Sequence, residues 1–443
     1  MATARAAALR ALVAVERGKR DRLREVLDEE RLEGREMAFA TELANGVMRR
    51  ERFLDHVLDG LAHRGLPKDP TLRMALRLGA YQLTFVGGVP AHAAVNETVT
   101  LVRQNQGFAN AILRRLAGQV EARAADPGAV TTELGLSPTR TLRLPQPLPD
   151  DEVERLAILH SLPDFAAERW REYHGIEGLR AIAAAATTVP GVFLRATTVD
   201  RDYLAASLAA LGVECLAAEH PRLLQWTGGG SPFATESFRR GHFVVQDATA
   251  LEAAEAVPIG PGATVVDLCA APGTKTVVLA ERARPGGIVH AFDPAPDRRR
   301  RITENVTRLG LADTVRVVDD PARLPLADAV LADVPCSNTG VLGRRVEVRR
   351  RLTSDTATTM AAIQRRILRQ AIDLARPDGA VVYSTCSIDP EENADVVRAV
   401  LADPTTPRCH VVRDRLTLPA VGRHDGGYFA VLRRDLSDPP VPR

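Results

Sequence analysis

From residue 1 to about 120, apolar residues recur at i, i+3 and i+4 in "ALRALVAVERG", "REMAFATELANGVMRRERFLDHVLDGL", "TLRMALRLGAYQLTFV", "HAAVNETVTLVRQ" and "FANAILRRLAGQV". This is the period of helices that bury one face. Pro90, in "GGVPAHAAV", sits where a helix would begin. The period fades over 121–150, "EARAADPGAVTTELGLSPTRTLRLPQPLPD", whose Pro, Thr and small residues read as a linker. Between about 151 and 255, helical stretches such as "AAERWREYHG" and "YLAASLAALG" mix with extended ones such as "GVFLRATTV" and "GHFVVQDAT". From 263 the pattern changes again. β-branched runs, "ATVVDL", "GGIVHAFD", "TVRVVDD", "DAVLADV" and "GAVVYST", alternate with helical segments. Such runs predict a parallel sheet covered on both faces. "RCHVVRD" and "GYFAVLRRD" look like a hairpin added at one edge. The expected organisation is multidomain: an all-α domain over 1–125, a linker over 126–150, a small α+β module over 151–255, and an α/β, Rossmann-like domain over 256–443.

At 443 residues the chain exceeds one hydrophobic core, in keeping with several domains. No run of about 18 apolar residues occurs, so no membrane partner is expected. The first helical stretch carries Arg10, Glu16 and Arg17 where a secretory leader would be apolar, which predicts a cytoplasmic protein. The cysteines, at 215, 269, 336, 386 and 409, form no CxxC, so neither structural zinc nor a disulfide framework is expected and no metal is assigned. A net charge of +2 discriminates little between partners. Residue type says more. Only Lys19, Lys68 and Lys275 are lysines among 58 basic residues, and Lys275 lies in the most motif-like segment of the chain.

That segment, "VVDLCAAPGTKT", joins the first β-run of the α/β domain to its helix through small residues that let backbone N–H groups approach a ligand. A phosphate-binding loop needs Gly-Lys-Ser/Thr in succession, and here Thr274 separates Gly273 from Lys275. A dinucleotide fingerprint needs three glycines, and only Gly273 is present. What survives is a series of acids ending successive strands. Asp267 comes first, then Asp293, where a carboxylate can accept from both ribose hydroxyls, and then Asp319. The series favours a nucleoside without a polyphosphate, such as S-adenosylmethionine.

Strand four ends "ADVPCSNTG" and strand five "YSTCSIDPEEN". In a doubly wound sheet those ends are neighbours, so Cys336 and Cys386 should face one pocket. A methyl donor beside thiolates has a specific use. Carbon 5 of cytosine is a poor nucleophile until a thiolate adds to carbon 6; it then attacks the sulfonium methyl, a base removes its proton, and the thiol leaves. Asp333 is placed to stabilise the adduct near the ring nitrogen. The chemistry alone leaves open which cysteine attacks.

"DLCAAPGTKT", "DVPCSNTG" and "YSTCSIDPEEN" resemble the signature segments of the RNA cytosine-5 methyltransferases of the NOL1/NOP2/Sun family, whose usual forms are close to DLCAAPGGKT, DAPCSxTG and YSTCSxxxxEN. "ATELANGVMRRERFLD" and "HAAVNETVTLVR…GFANAILRRL" resemble the NusB-like helical RNA-binding domain of one bacterial branch, and "QDATA" its element before the catalytic domain. The resemblance implies a class I methyltransferase domain with S-adenosylmethionine held by Cys269, Ala270, Ala271, Pro272, Gly273, Thr274, Lys275, Asp293, Asp319 and Asp333. It implies Cys386 as nucleophile, Cys336 as the residue that assists proton removal and product release, and RNA, most naturally small-subunit ribosomal RNA, as partner. Transfer RNA as substrate and a non-catalytic RNA-binding or assembly factor are the alternatives. Oligomerisation is not indicated. Thr274 and Val334 depart from the usual Gly and Ala. "VEVRRRL" replaces a usual Pro-Asp pair, within a segment, 342–352, whose five arginines could meet phosphates.

Overall fold

The computed structural model of the chain describes residues 3–62 and 65–436. They fall into two compact units, one running up to Thr188 together with Leu342–Arg351, the other made of Val189–Val341 and the chain from Leu352 onward.

The first unit is helical, as the period predicts. Its N-terminal part comprises Ala4–Glu16, Leu23–Glu29, Gly34–Arg49, Glu51–Asp59, Pro70–Thr84, Ala91–Val99 and Gln106–Ala117. Asp69 caps the fifth of these by accepting from Leu72 N at 2.9 Å, with Pro70 in the first turn, where its missing N–H costs nothing. The next helix starts directly after Pro90. Leu43, Val47, Leu54, Leu58, Leu76 and Leu113 are fully buried between the helices. Full burial of each stabilises by about 1.5–3 kcal/mol.

The stretch expected as a linker folds back onto this core. Glu133–Ser137 and Arg140–Arg143 form an antiparallel hairpin that Val120–Glu121 extends. Leu142, Leu144 and Leu148 are buried in the helical core. Pro and Thr obscure the period there, but the leucines supply enough apolar surface to order the segment. Two further helices, Glu152–Leu159 and Asp164–Thr187, complete the unit, the second kinked at Gly175.

Leu342–Arg351 also belongs to this unit. Val346 enters the helical core. Arg349 is buried, and its guanidinium donates to the carbonyls of Arg49 (2.6 Å), Ala186 (2.7 Å), Leu342 (3.3 Å) and His160 (3.4 Å). Arg350 pairs with Glu16 and Glu51, and Glu347 accepts from Leu23 N at 3.0 Å. At least two of the arginines that could have met phosphates are thus committed inside the protein.

The second unit opens with a four-stranded antiparallel sheet in the order Cys215–Ala217, Leu223–Trp226, Val192–Ala196, Phe243–Val245. The stretch expected as one α+β module is therefore shared: its two leading helices pack with the first unit and its sheet with the second. The large sheet follows. Its strands are β1 (Thr264–Asp267), β2 (Ile288–Phe292), β3 (Val315–Val318), β4 (Ala327–Asp333), β5 (Ala375–Thr385), β6 (Cys409–Thr417) and β7 (Gly427–Arg434). Its principal helices are α1 (Thr274–Ala283), α2 (Pro296–Arg308), α3 (Thr356–Leu374) and α4 (Ala394–Ala402). The order is β3-β2-β1-β4-β5-β7-β6; the first five strands are parallel, and the β7–β6 hairpin runs antiparallel at the edge. Val265, Leu331 and Val382 face one core, while Val266, Val330 and Val381 face the other. Both faces being covered, the strands read as unbroken apolar runs. The order reverses between β1 and β4, which opens a crevice at their C-terminal ends.

Candidate active site

The first wall of the crevice is the loop from β1 to α1. Gly273 enters α1 with φ +104°, a left-handed backbone that a side chain would strain. Ala270 N donates to Phe292 O at 2.9 Å, drawing the loop against the end of β2. Asp267, wholly buried, accepts from Thr276 Oγ1 at 2.7 Å; burial pushes its carboxyl up to about 7. Burial, with the nearby Asp267, Asp333 and Asp293, also pushes the Cys269 thiol far above its ordinary range, which disfavours the thiolate there. Lys275 reaches across to Asp333, Nζ to Oδ2 at 2.7 Å. Burial opposes its charge, but Asp333 and Cys386 outweigh burial and its pKa rises.

Asp293, just beyond β2, is buried. Its Oδ1 accepts from Ala295 N at 3.1 Å, whereas its Oδ2 has no hydrogen-bond partner and faces only the Arg298 guanidinium at 3.3 Å. Arg298 is half-exposed. Asp319 lies elsewhere in character: it follows β3, is exposed, and pairs with Arg323 at 3.4 Å.

Register builds the second wall. Asp333, the last residue of β4, stands opposite Ser384 of β5, whose Oγ donates to Asp333 Oδ1 at 2.6 Å. The two loops therefore begin side by side, and Cys336 Sγ lies 3.0 Å from Cys386 Sγ. Both are free thiols. Asn338, itself at φ +64°, accepts from Cys386 Sγ at 3.3 Å and donates to Cys336 O at 2.7 Å. The Cys336 thiol is pushed well above its ordinary range by its hydrogen bond to Cys386 and by burial, with Cys386 and Glu392 nearby adding to the shift.

Beneath the sulfurs lies a polar network that the sequence reading passed over. The Glu392 carboxylate accepts from Ser337 N (2.8 Å), Ser387 Oγ (2.8 Å), Gln364 Nε2 (2.8 Å) and Ser337 Oγ. Thr339 Oγ1 donates to Asp389 Oδ2 at 2.6 Å, and Thr385 Oγ1 to Asn393 Oδ1 at 2.6 Å. Glu392 and Asn393 sit within the quoted "YSTCSIDPEEN", so their signal was present; Gln364 betrays itself only as an amide on the buried face of α3. Gly340 closes the site, since a Cβ there would lie 2.5 Å from Gly426 O and 2.8 Å from Cys386 O. Among the described residues, no group of three or more His, Cys, Asp or Glu could hold a metal ion, and no helix is long and apolar enough to cross a membrane.

A doubly wound sheet in this order, with a small-residue loop and a ribose-type acid but no triphosphate cradle, defines a Rossmann-like methyltransferase. Residues 256–415 match the family described as 16S rRNA methyltransferase RsmB/F, and residues 2–118 match the NusB family. The ribosomal RNA small subunit methyltransferase B of Thermus thermophilus is 32% identical over 457 residues, covering 98% of each chain. The probable enzyme of the same name from Synechocystis is 32% identical over 383 residues, 82% of this chain and 80% of its own. The solved structure of PH0851 superposes with a TM-score of 0.74 over 97% of this chain and 99% of its own, at 23% identity, and so supports the fold. The chain belongs to the RsmB/F family of 16S rRNA methyltransferases, with a NusB domain at its N-terminus.

The cofactor of this class is S-adenosylmethionine, and the residues present fit it. The buried Asp293 Oδ2, which accepts no hydrogen bond, suits a ribose hydroxyl, and the loop of Ala270, Ala271, Pro272 and Gly273 admits close backbone approach.

Proposed function

We propose that the chain forms 5-methylcytidine in small-subunit ribosomal RNA by covalent catalysis. The observation that carries this reading is the pair of thiols 3.0 Å apart at the ends of adjacent strands, beside the Lys275–Asp333 pair. Bound S-adenosylmethionine would supply an electrophilic methyl group, held by the 269–275 loop, Asp293, Asp333 and, by resemblance, Asp319.

The protein's own groups do the rest. The Cys386 thiolate bonds to cytosine carbon 6, and the π pair shifts so that carbon 5 becomes nucleophilic. Asp333, held by Lys275 and Ser384, faces the ring nitrogen and stabilises the adduct. Carbon 5 takes the methyl group as the sulfonium–methyl bond breaks, its electron pair staying on sulfur as the neutral thioether. With Cys386 now a thioether, the hydrogen bond that raises the Cys336 thiol is gone. Cys336 gives its own proton to solvent and, as thiolate, accepts the carbon 5 proton. The electrons of that C–H bond restore the ring double bond as the sulfur–carbon 6 bond breaks and Cys386 leaves as thiolate.

The test is transfer of labelled methyl to unmodified 16S ribosomal RNA and to transfer RNA, with nucleoside mass spectrometry of the product. Loss of turnover in Cys386→Ala, with a denaturation-resistant RNA adduct only in Cys336→Ala, supports the assignment. An adduct in Cys386→Ala instead reverses the roles. Transfer to transfer RNA alone changes the substrate, and no transfer from the native chain to either RNA leaves a binding factor.

A further inference from the structure

Two sulfurs on different loops meet only if something fixes one loop against the other. The loop after β4 carries Cys336, and the loop after β5 carries Cys386. Glu392 contacts both. One carboxylate oxygen accepts from Ser337 N and from Gln364 Nε2, each at 2.8 Å. The other accepts from Ser387 Oγ at 2.8 Å and from Ser337 Oγ. Gln364 extends the grip by donating to Pro335 O at 3.0 Å, so the residues on either side of Cys336 are both held. The backbone of Glu392 is fixed in turn, because its carbonyl accepts from Tyr383 OH at 2.5 Å on β5. Four donors converge on one buried acceptor-only group, and none comes from solvent. These four donors fill about the four lone-pair sites that a carboxylate offers, so this one side chain ties both cysteine loops together.

We infer that Glu392 is the positioning residue that holds the Cys336 and Cys386 sulfurs in register for methyl transfer. This rests on the reading above that both thiols act on cytosine. Glu392 does not touch the base; it sets the distance between the group that attacks and the group that takes the proton. Misplacement by about 1 Å costs on the order of 100-fold in rate.

The experiment compares the full-length native chain with Glu392→Ala and Glu392→Gln by steady-state methyl transfer and by capture of the thiol pair with phenylarsine oxide. That reagent condenses with two adjacent thiols, forming two As–S bonds and releasing water. Glu392→Ala should lower kcat by about 100-fold, leave KM for RNA and for S-adenosylmethionine within about twofold, and slow arsenical capture by about tenfold. Glu392→Gln should rescue both to within about threefold, because its amide oxygen can accept from Ser337 N and Gln364 while its NH2 donates to the serine hydroxyls. Unchanged kcat and capture in Glu392→Ala would overturn the inference, as would a loss expressed only in KM. If Glu392→Ala does not fold, Gln364→Met, which removes the donor to both Pro335 O and Glu392, should lower kcat and capture in the same direction by about tenfold, and no change there overturns it. Capture does not depend on methyl transfer. A native chain without transfer activity therefore overturns the cytosine reading, whereas unchanged capture in Glu392→Ala overturns the positioning role alone.

Discussion

His160 should make the helical unit acid-sensitive, by an amount that can be worked out. Its Nδ1 lies 2.8 Å from Thr187 Oγ1. Burial, with Arg50 and Arg349 nearby, pushes its pKa down to about 4. In the unfolded chain the ordinary value is about 6.5. The fold thus favours the neutral ring, and below about pH 6.5 the unfolded chain binds more protons. Stability from this residue is complete above that pH and is lost as pH falls from about 6.5 to about 4. The full loss is about 3.4 kcal/mol, of which about 2 kcal/mol is gone between about pH 7.5 and about pH 5. Trp170 and Trp226 are the only tryptophans; Trp170 is buried in the helical unit and Trp226 lies in the other. In a Trp226→Phe background, urea unfolding followed by Trp170 fluorescence therefore reports the helical unit. His160→Gln should weaken the pH dependence by about 2 kcal/mol across that interval, while other titrating groups cancel in the comparison. Equal pH dependence in the two proteins, to within about 0.5 kcal/mol, would refute the argument.

Three other outcomes are expected. Asp293→Ala should weaken S-adenosylmethionine binding by about 10- to 100-fold in calorimetry, through loss of charge-assisted hydrogen bonds of about 1.5–3 kcal/mol, with little change in Tm; a Kd within twofold of native, on the order of the experimental error, would count against its role. Gly340→Ala drives a methyl group into Gly426 O and Cys386 O, so it should destabilise the catalytic unit by about 1–3 kcal/mol, seen as a lower urea midpoint. Lys275→Met leaves Asp333 without its cation and should lower kcat by at least about 100-fold, measured by single-turnover methyl transfer.

Much of this was legible along the chain, and the reason is locality. The five parallel strands announce themselves as apolar runs, and the residues at or just past their ends, Asp293, Asp333, Cys336 and Cys386, are placed by topology. Register then brings Asp333 opposite Ser384. The hairpin at 133–143 was hidden because Pro and Thr break the alternation while its leucines bury against helices distant in sequence. Arg349 was illegible for a stronger reason. Nothing near it in sequence distinguishes it from Arg345 or Arg351, and its partners are carbonyls of residues 49, 160 and 186, which only the folded helical unit assembles. Glu392 lies between: its motif was visible, its four donors were not.

The excursion of Leu342–Arg351 has a consequence for how this protein can be taken apart. The chain passes between its two units at residues 188, 341 and 351, so the units are interlaced along the sequence and not strung one after the other. No single cut separates them. A fragment ending at Thr188 would lack Arg349 and leave the carbonyls of Arg49 and Ala186 without their donor, while a fragment starting at Val189 would carry that arginine with nowhere to bury it. Swapping the helical unit for another, or supplying it in trans, therefore requires grafting a ten-residue insert from the opposite half of the chain.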